Sequence, residues 1–250
     1  MSKELIEIKL YNGKEIIRFD EGRHIFYDDK GNVLLSVTGA TGIIDKSGVL
    51  TGWAVKMMAL FLNRKLESGV IINSGTIATA KKEYRRIAGE AADIGTEIHE
   101  WASDWILGKK PEMPDNEKVV NGIIAFLRFQ KERNLKWIES ERYIYSKKHN
   151  YAGIMDAVAK VGNKLILIDF KSSKAIYDDM RFQVAGYQIA YEEETGKKID
   201  ERVIVRFGKE DGQFEVQELD NDTKDKKVFL DCLNVKRRMK ELSKNNGYRN

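Results

Sequence analysis

Gly153-Ile154-Met155-Asp156-Ala157-Val158-Ala159-Lys160-Val161-Gly162-Asn163-Lys164-Leu165-Ile166-Leu167-Ile168-Asp169-Phe170-Lys171 is two apolar runs around one polar dipeptide. Each run has the length of a strand, and Gly162-Asn163 suits a two-residue hairpin turn. Val161 then faces Lys164, and counting back from the turn sets Asp156 opposite Asp169. Side chains paired in this way sit roughly 4.5–5.5 Å apart at Cβ, where like charges are unfavourable. Two carboxylates so placed need a cation, and a divalent metal is the obvious one. Period-two alternation puts Asp169 and Lys171 on the face of Leu165 and Leu167, with Ile166, Ile168 and Phe170 opposite. The polar pair therefore emerges where an otherwise buried strand ends. A lysine beside two carboxylates can orient an attacking water and help deprotonate it. An ordinary cross-strand ion pair is the plain alternative, and the presence of Asp156 weighs against it.

Outward from this hairpin, strands are expected at 141–146, 153–161, 164–170, 201–207 and 214–219, the last two around Asp211-Gly212. Asp178 or Asp179 can cap a helix that runs to about 194, and Gly196 can stop it. Asp222 can cap a final helix to about 242, with 243–250 a frayed tail. Residues 1–48 read as short strands and turns. A tight hairpin is expected at Asn12-Gly13, and 24–27 and 33–37 flank a second turn. From 53 to about 137 the pattern is helical: 53–62 has no breaker, 77–89 is basic, and Ile94, Ile98, Trp101 and Trp105 recur at helical spacing. Pro111 and Pro114 mark a loop before a further helix over 119–133. The expected organisation is a β-rich segment (1–48), a helical segment (49–136), and a core with a C-terminal helix (137–250).

The bulk properties limit the function classes. The chain has 250 residues, 42% of them apolar, and a net charge of +4. That is enough to bury a core without staples, and the mild positive excess fits a nucleic-acid partner. Mean hydropathy is −0.47, and no apolar run approaches the ~18 residues that span a bilayer. The N-terminus lacks a basic region followed by a long apolar stretch, so no signal peptide is expected and the cytoplasm is the expected location. The single cysteine, Cys232, excludes an internal disulfide and any all-cysteine zinc or iron–sulfur site. No G-x-x-x-x-G-K-[ST] loop is present, so ATP-driven unwinding would need a partner.

Gly153-Ile154-Met155-Asp156 followed by Asp169-Phe170-Lys171-Ser172-Ser173 resembles the PD-(D/E)XK nuclease superfamily, in the flavour of its RecB-like branch with phage and mitochondrial genome-maintenance exonucleases. Gly95-Thr96-Glu97-Ile98-His99-Glu100 is similar to that branch's N-terminal histidine motif, and Gln183-Val184-Ala185-Gly186-Tyr187 to its Q-x-x-x-Y motif. The motifs fall in the expected order. Aspartate at 169, where many members carry glutamate, reads as a marker of the branch.

The resemblance implies an α/β, restriction-endonuclease-like core, a mixed central sheet flanked by helices, carrying N-terminal β-hairpins and a helical subdomain. It implies catalysis by Asp156, Asp169 and Lys171. It also implies one or two Mg²⁺ or Mn²⁺ ions held by His99, Asp156, Asp169 and the Phe170 carbonyl, with no iron–sulfur cluster. Gln183 and Tyr187, one helical turn apart, would border the site and the DNA, and Glu141 occupies a supportive acidic position. Lys81, Lys82, Arg85 and Arg86 are either a solvated helix face or a DNA contact. Trp53, Trp101, Trp105 and Trp137 suit a core, with base stacking the alternative. The implied activity is exonucleolytic hydrolysis of DNA with free ends or single strands, in phage-type replication, recombination or repair alongside partner proteins. A structure-specific endonuclease and a non-catalytic DNA-binding scaffold are the rivals.

Overall fold

The computed structural model describes residues 5–220 and 223–245. Contacts divide it into two compact units, one of residues 1–44 with 98–250, the other Asp45–Glu97. The larger unit is a mixed α/β structure built on a nine-stranded sheet. Its first strands, β1 (Ile6–Leu10) and β2 (Glu15–Asp20), pair antiparallel. Leu10 pairs with Glu15, so the turn takes four residues, and Tyr11, Asn12 and Gly13 all adopt positive φ. β3 (Ile25–Tyr27) and β4 (Val33–Ser36) continue the meander. The strand expected to include Val37 stops one residue earlier because the Ser36 hydroxyl accepts a hydrogen bond from Gly39 N at 3.0 Å. That capped turn starts α1 (Val37–Thr41).

The hairpin around Gly162-Asn163 lies at the sheet's centre. β5 (Lys136–Ser146) pairs antiparallel along β6 (Tyr151–Val161), and β6 pairs antiparallel with β7 (Lys164–Lys171). The β6–β7 register runs from Val161 with Lys164 to Ala157 with Ile168, as counted from the turn, where Gly162 takes φ 58°. β8 (Glu201–Phe207) follows parallel to β7, and β9 (Phe214–Leu219) closes that side. On the opposite side of β6 from β5, β4 pairs with Tyr151 and Ala152, and β7 takes over at Ala157. Residues 153–156 therefore lie at a fork, between the end of one neighbour and the end of another.

The alternation of side chains breaks at this fork. Met155 and Val158, three residues apart, pack into the same cluster. Across from them on β5, Glu141 adopts φ 48°. The β5–β6 register itself continues across this point, with Arg142 on Met155 and Ser140 on Ala157, and its one shift falls between Trp137 and Glu139.

Helices cover both faces. α6 (Asp178–Thr195) and α7 (Thr223–Asn245) pack with α1 on one face, through Val37, Val184, Tyr187, Phe229 and Leu233. α5 (Glu117–Glu132) covers the other, where Phe126 meets Phe170 and Phe207 at ring distances of 5.8 and 5.9 Å. Gly122 of α5 admits Ile98: a Cβ there would lie 2.3 Å from the Ile98 Cδ1. α6 is capped by Tyr177 rather than Asp178 or Asp179. Those two aspartates occupy its first turn, where negative charge favours the helix dipole, and Gly196 ends it at φ 68°. α7 extends past 242 to Asn245, and the expected cap Asp222 and the tail from 246 lie outside the described residues.

The smaller unit holds α2 (Ser47–Glu67), α3 (Ser74–Ala80) and the first part of α4 (Glu83–Ile106). The basic stretch expected as one helix is broken at Lys81-Lys82, between α3 and α4. Glu83 is buried and ion-pairs with Arg64 at 3.2 Å and Arg86 at 2.8 Å. No helix of the described residues is long and apolar enough to cross a membrane.

Candidate metal centre

Asp156 sits at the fork with no strand partner beside it on the β7 side. Instead of facing Asp169 across a regular pair, its Oδ2 accepts a hydrogen bond from Phe170 N at 2.6 Å. Its own carbonyl accepts one from the Ser140 hydroxyl at 3.1 Å. The first bond orients the carboxylate, and the second anchors the backbone that carries it at the sheet opening. His99 comes from the part of α4 in the larger unit, its ring edge-on to Phe170 with centroids 5.8 Å apart. Its Nδ1 lies 3.8 Å from Asp156 Oδ1.

Glu141 completes a trio. One ligand atom from each of His99, Glu141 and Asp156 falls within 4.8 Å of the others. Glu141 arrives by register: Arg142 pairs with Met155 and Ser140 with Ala157, which leaves Glu141 opposite Asp156. From sequence alone Glu141 has only a supporting place. The same counting that paired Asp156 with Asp169, applied from the turn at 147–150, would have found it.

Asp169 stands beside the trio and outside its mutual range. It is 1% exposed, and neither carboxylate oxygen accepts a well-directed hydrogen bond among the described residues. Its close neighbour is the Lys171 ammonium, 2.5 Å from Oδ2. An ion pair therefore partly compensates this buried carboxylate while leaving it free lone pairs, which is the donor set a hard cation requires.

The electrostatics agree with that need. Burial raises Asp156 above the ordinary carboxylate range, against the opposing pull of Lys171 and the Phe170 amide. Burial likewise raises Asp169, with the Asp156 charge adding and Lys171 opposing. Glu141 is open to solvent on one side, yet partial burial, then Asp156 and Glu100, push it up to about 8. His99 is pushed down to about 4 by burial and by the Lys171 cation, so at neutral pH its imidazole is uncharged, the form that ligates metals. Lys171 stays charged because Asp169 and Asp156 outweigh its burial. Crowded carboxylates, a neutral histidine and unmet lone pairs fit a divalent cation.

Gln183 and Tyr187 lie one turn apart on α6, and the Gln183 amide donates to the Tyr187 hydroxyl at 2.8 Å. Burial and the negative field of Asp169 and Asp156 hold the Tyr187 phenol well above its ordinary range, so it remains a neutral donor. Gly153 makes room for this ring: a Cβ there would be 3.2 Å from Tyr187 Cε1 and 3.1 Å from Val37 Cγ2. The Phe170 ring is buried against Phe126, Trp137 and Phe207 on the α5 face. The basic run belongs to the other unit. Lys81 caps α3, Arg85 bonds the Tyr84 hydroxyl at 2.9 Å, and Arg86 is engaged by Glu83 and Glu90. The tryptophans are in part core: Trp101 is buried and stacks on the half-exposed Trp105 at 5.3 Å.

No family profile matches the chain, and no curated protein matches it. Among solved structures, the chain is similar to the alkaline exonuclease LHK-Exo of Laribacter hongkongensis, at 12% identity and a TM-score of 0.39, over 85% of this chain and 94% of that one. The same enzyme in complex with dAMP is similar at 12% identity and a TM-score of 0.39, over 86% and 93%. A candidate exonuclease from Eubacterium rectale is similar at 14% identity and a TM-score of 0.41, over 63% and 69%.

Proposed function

We propose that the chain is a Mg²⁺- or Mn²⁺-dependent deoxyribonuclease of the PD-(D/E)XK superfamily, RecB-like branch, that shortens DNA from free ends or along single strands. The observation that carries this reading is the convergence of His99, Glu141 and Asp156 within 4.8 Å, beside the buried Lys171–Asp169 pair. His99, Glu141, Asp156, Asp169 and the Phe170 carbonyl are the candidate ligands. A divalent ion held there would polarise a phosphodiester and raise the acidity of water near it. Phe170 N holds the Asp156 carboxylate in one orientation, and Ser140 holds the Asp156 backbone through its carbonyl. Lys171 keeps its charge and offers it to the negative charge that grows on the phosphate during hydrolysis. Tyr187, neutral and bonded to Gln183, would serve as a hydrogen-bond donor to a phosphate oxygen. Replication, recombination or repair of a phage type is the setting that the sequence motifs suggest.

End-labelled linear DNA and closed single-stranded circles, each incubated with Mg²⁺ and with EDTA, test the reading. Linear DNA should be shortened from its termini with Mg²⁺ and left intact in EDTA. Lys171→Ala should lower turnover by about a hundredfold or more, the scale of a lost charge-stabilising group, with DNA affinity little changed. Equal cleavage in EDTA would overturn metal dependence, and rapid cutting of circles would transfer the site to an endonuclease.

A further inference from the structure

The smaller unit carries a helix unlike the others. α2 has 21 residues, rich in Val, Leu, Met and Ala, and none of them is buried. A helix apolar on all sides is ordinarily enclosed. Its inner face is accounted for. Trp53 meets Tyr84 edge-on at 6.2 Å, Arg64 reaches Glu83, and Trp53, Met57 and Phe61 are half-buried at helical spacing.

Among the described residues, the outer face meets no such partner. Gly48, Gly52, Val55, Ala59, Leu62 and Leu66 recur in alternating steps of four and three, the spacing of a heptad seam. All but Leu62 are exposed, Val55 by 62% and Leu66 by 58%. Lys56 borders the seam on one side and Lys65, its ammonium 5.6 Å from the Phe61 ring centroid, on the other, and the one acidic residue of α2, Glu67, is its last.

The seam's chemistry selects among occupants. Nucleic acid is gripped by aromatic and guanidinium faces, but the aromatic residues of α2 are turned inward. A second copy of α2 offers Lys56 and Lys65 no acidic border, because Glu67 at its end is its one acidic residue. An amphipathic helix with an apolar stripe and acidic borders satisfies both the spacing and the charge. We propose that the outer face of α2 is the docking site for an acidic amphipathic helix of a partner protein. This inference is independent of the nuclease reading.

The test uses the full chain and two labelled synthetic peptides as long as α2, both with Leu at the seam positions, one bordered by Glu and the other by Lys. In fluorescence anisotropy the Glu peptide should bind at least about tenfold more tightly, with the gap narrowing as salt screens the charges. Val55→Glu with Leu66→Glu should abolish that binding. Lys56→Glu with Lys65→Glu should reverse the preference, and it decides the matter if thermal unfolding shows the first variant to be destabilised. Equal affinity for the two peptides would overturn the proposal. So would a dimer in sedimentation that Val55→Glu with Leu66→Glu dissociates, which makes a second copy the occupant. Competition between the Glu peptide and a single-stranded oligonucleotide, with both lost in that variant, would assign the face to nucleic acid.

Discussion

Asp156 is held by a backbone amide and surrounded by negative charge, so its neighbours pull in opposite directions. The Phe170 amide and Lys171 favour the carboxylate, whereas burial favours the neutral acid and wins. Asp156→Asn keeps an oxygen for the Phe170 amide and removes the charge. Without metal at neutral pH, the variant should therefore be as stable as the parent or more so, by up to about 1 kcal/mol. The same change should remove most of the stabilisation that Mn²⁺ gives by binding the native state. Thermal unfolding of both proteins in EDTA and in Mn²⁺ checks this. A variant clearly weaker in EDTA would mean that the carboxylate charge itself holds β6 to β7. One that keeps the full Mn²⁺ response would remove Asp156 from the ligand set. At this scale the sequence was readable where one rule sufficed: counting from the turn gave the register as far as Ala157 with Ile168, one pair short of Asp156, and the histidine motif pointed to the residue whose Nδ1 lies 3.8 Å from Asp156 Oδ1. The turn of Asp156 onto Phe170 N was not readable, because strict period two assumes a regular pleat, and the positive φ at Glu141 marks where that pleat breaks.

The elements are tied together by groups that local patterns do not announce. Three consecutive glutamates at the end of α6 each hold a different neighbour. Glu193 accepts from the Ser146 hydroxyl at 2.5 Å and from Lys148 N at 2.7 Å. Glu194 pairs with Arg142 of β5 at 2.9 Å and accepts from Tyr11 N at 3.3 Å. Glu192 accepts from Gln188 and from Ile199 N, and pairs with Lys226 of α7 at 3.0 Å. In the sequence these residues mark only the polar end of a helix, because most of their partners lie tens of residues away. Arg202 is similar: fully buried within the apolar β8, it pairs with Asp225 of α7 at 2.9 Å, which no strand pattern foretells. Glu192 offers a pH test. Burial raises its pKa, and the bonds from Gln188, Lys226 and Ile199 N more than offset this, so its folded value is depressed. A depressed carboxylate adds stability above its unfolded pKa and loses it as pH falls through the folded one. Glu192→Gln should thus destabilise the protein at pH 7, and the difference from the parent should shrink below about pH 4.3, the ordinary glutamate value. Urea unfolding at pH 7 and in acid measures it. A deficit that does not change with pH would mean that the side chain acts by shape rather than charge.

Across the whole molecule, burial is divided unequally between the two units. β6 and β7 are enclosed by α1, α6 and α7 on one face and by α5 on the other, so exchange of their amides requires opening much of the larger unit. The strong periodicity of these elements is why they were legible in the sequence. The parallel pairing of β4 with β6, which joins the N-terminal strands to the same sheet, was not, because it spans more than a hundred residues and only two pairs record it. In the smaller unit α2 buries no residue. Segments with few buried apolar contacts open at low free-energy cost and exchange early. Hydrogen–deuterium exchange followed by mass spectrometry should therefore find α2 taking up deuterium well before β6 and β7 in the metal-free protein. Mn²⁺ bound at His99, Glu141 and Asp156, as proposed, would stabilise the native state by mass action and should slow exchange further over β6 and β7. Opening of α2 alone leaves those ligands in place, so its exchange should not change with Mn²⁺. Slow exchange in α2 at dilute protein concentration would contradict this, since it would mean that the apolar seam is already covered. Slowing of α2 by Mn²⁺ to the same degree as β7 would mean that the two units open together as one cooperative body.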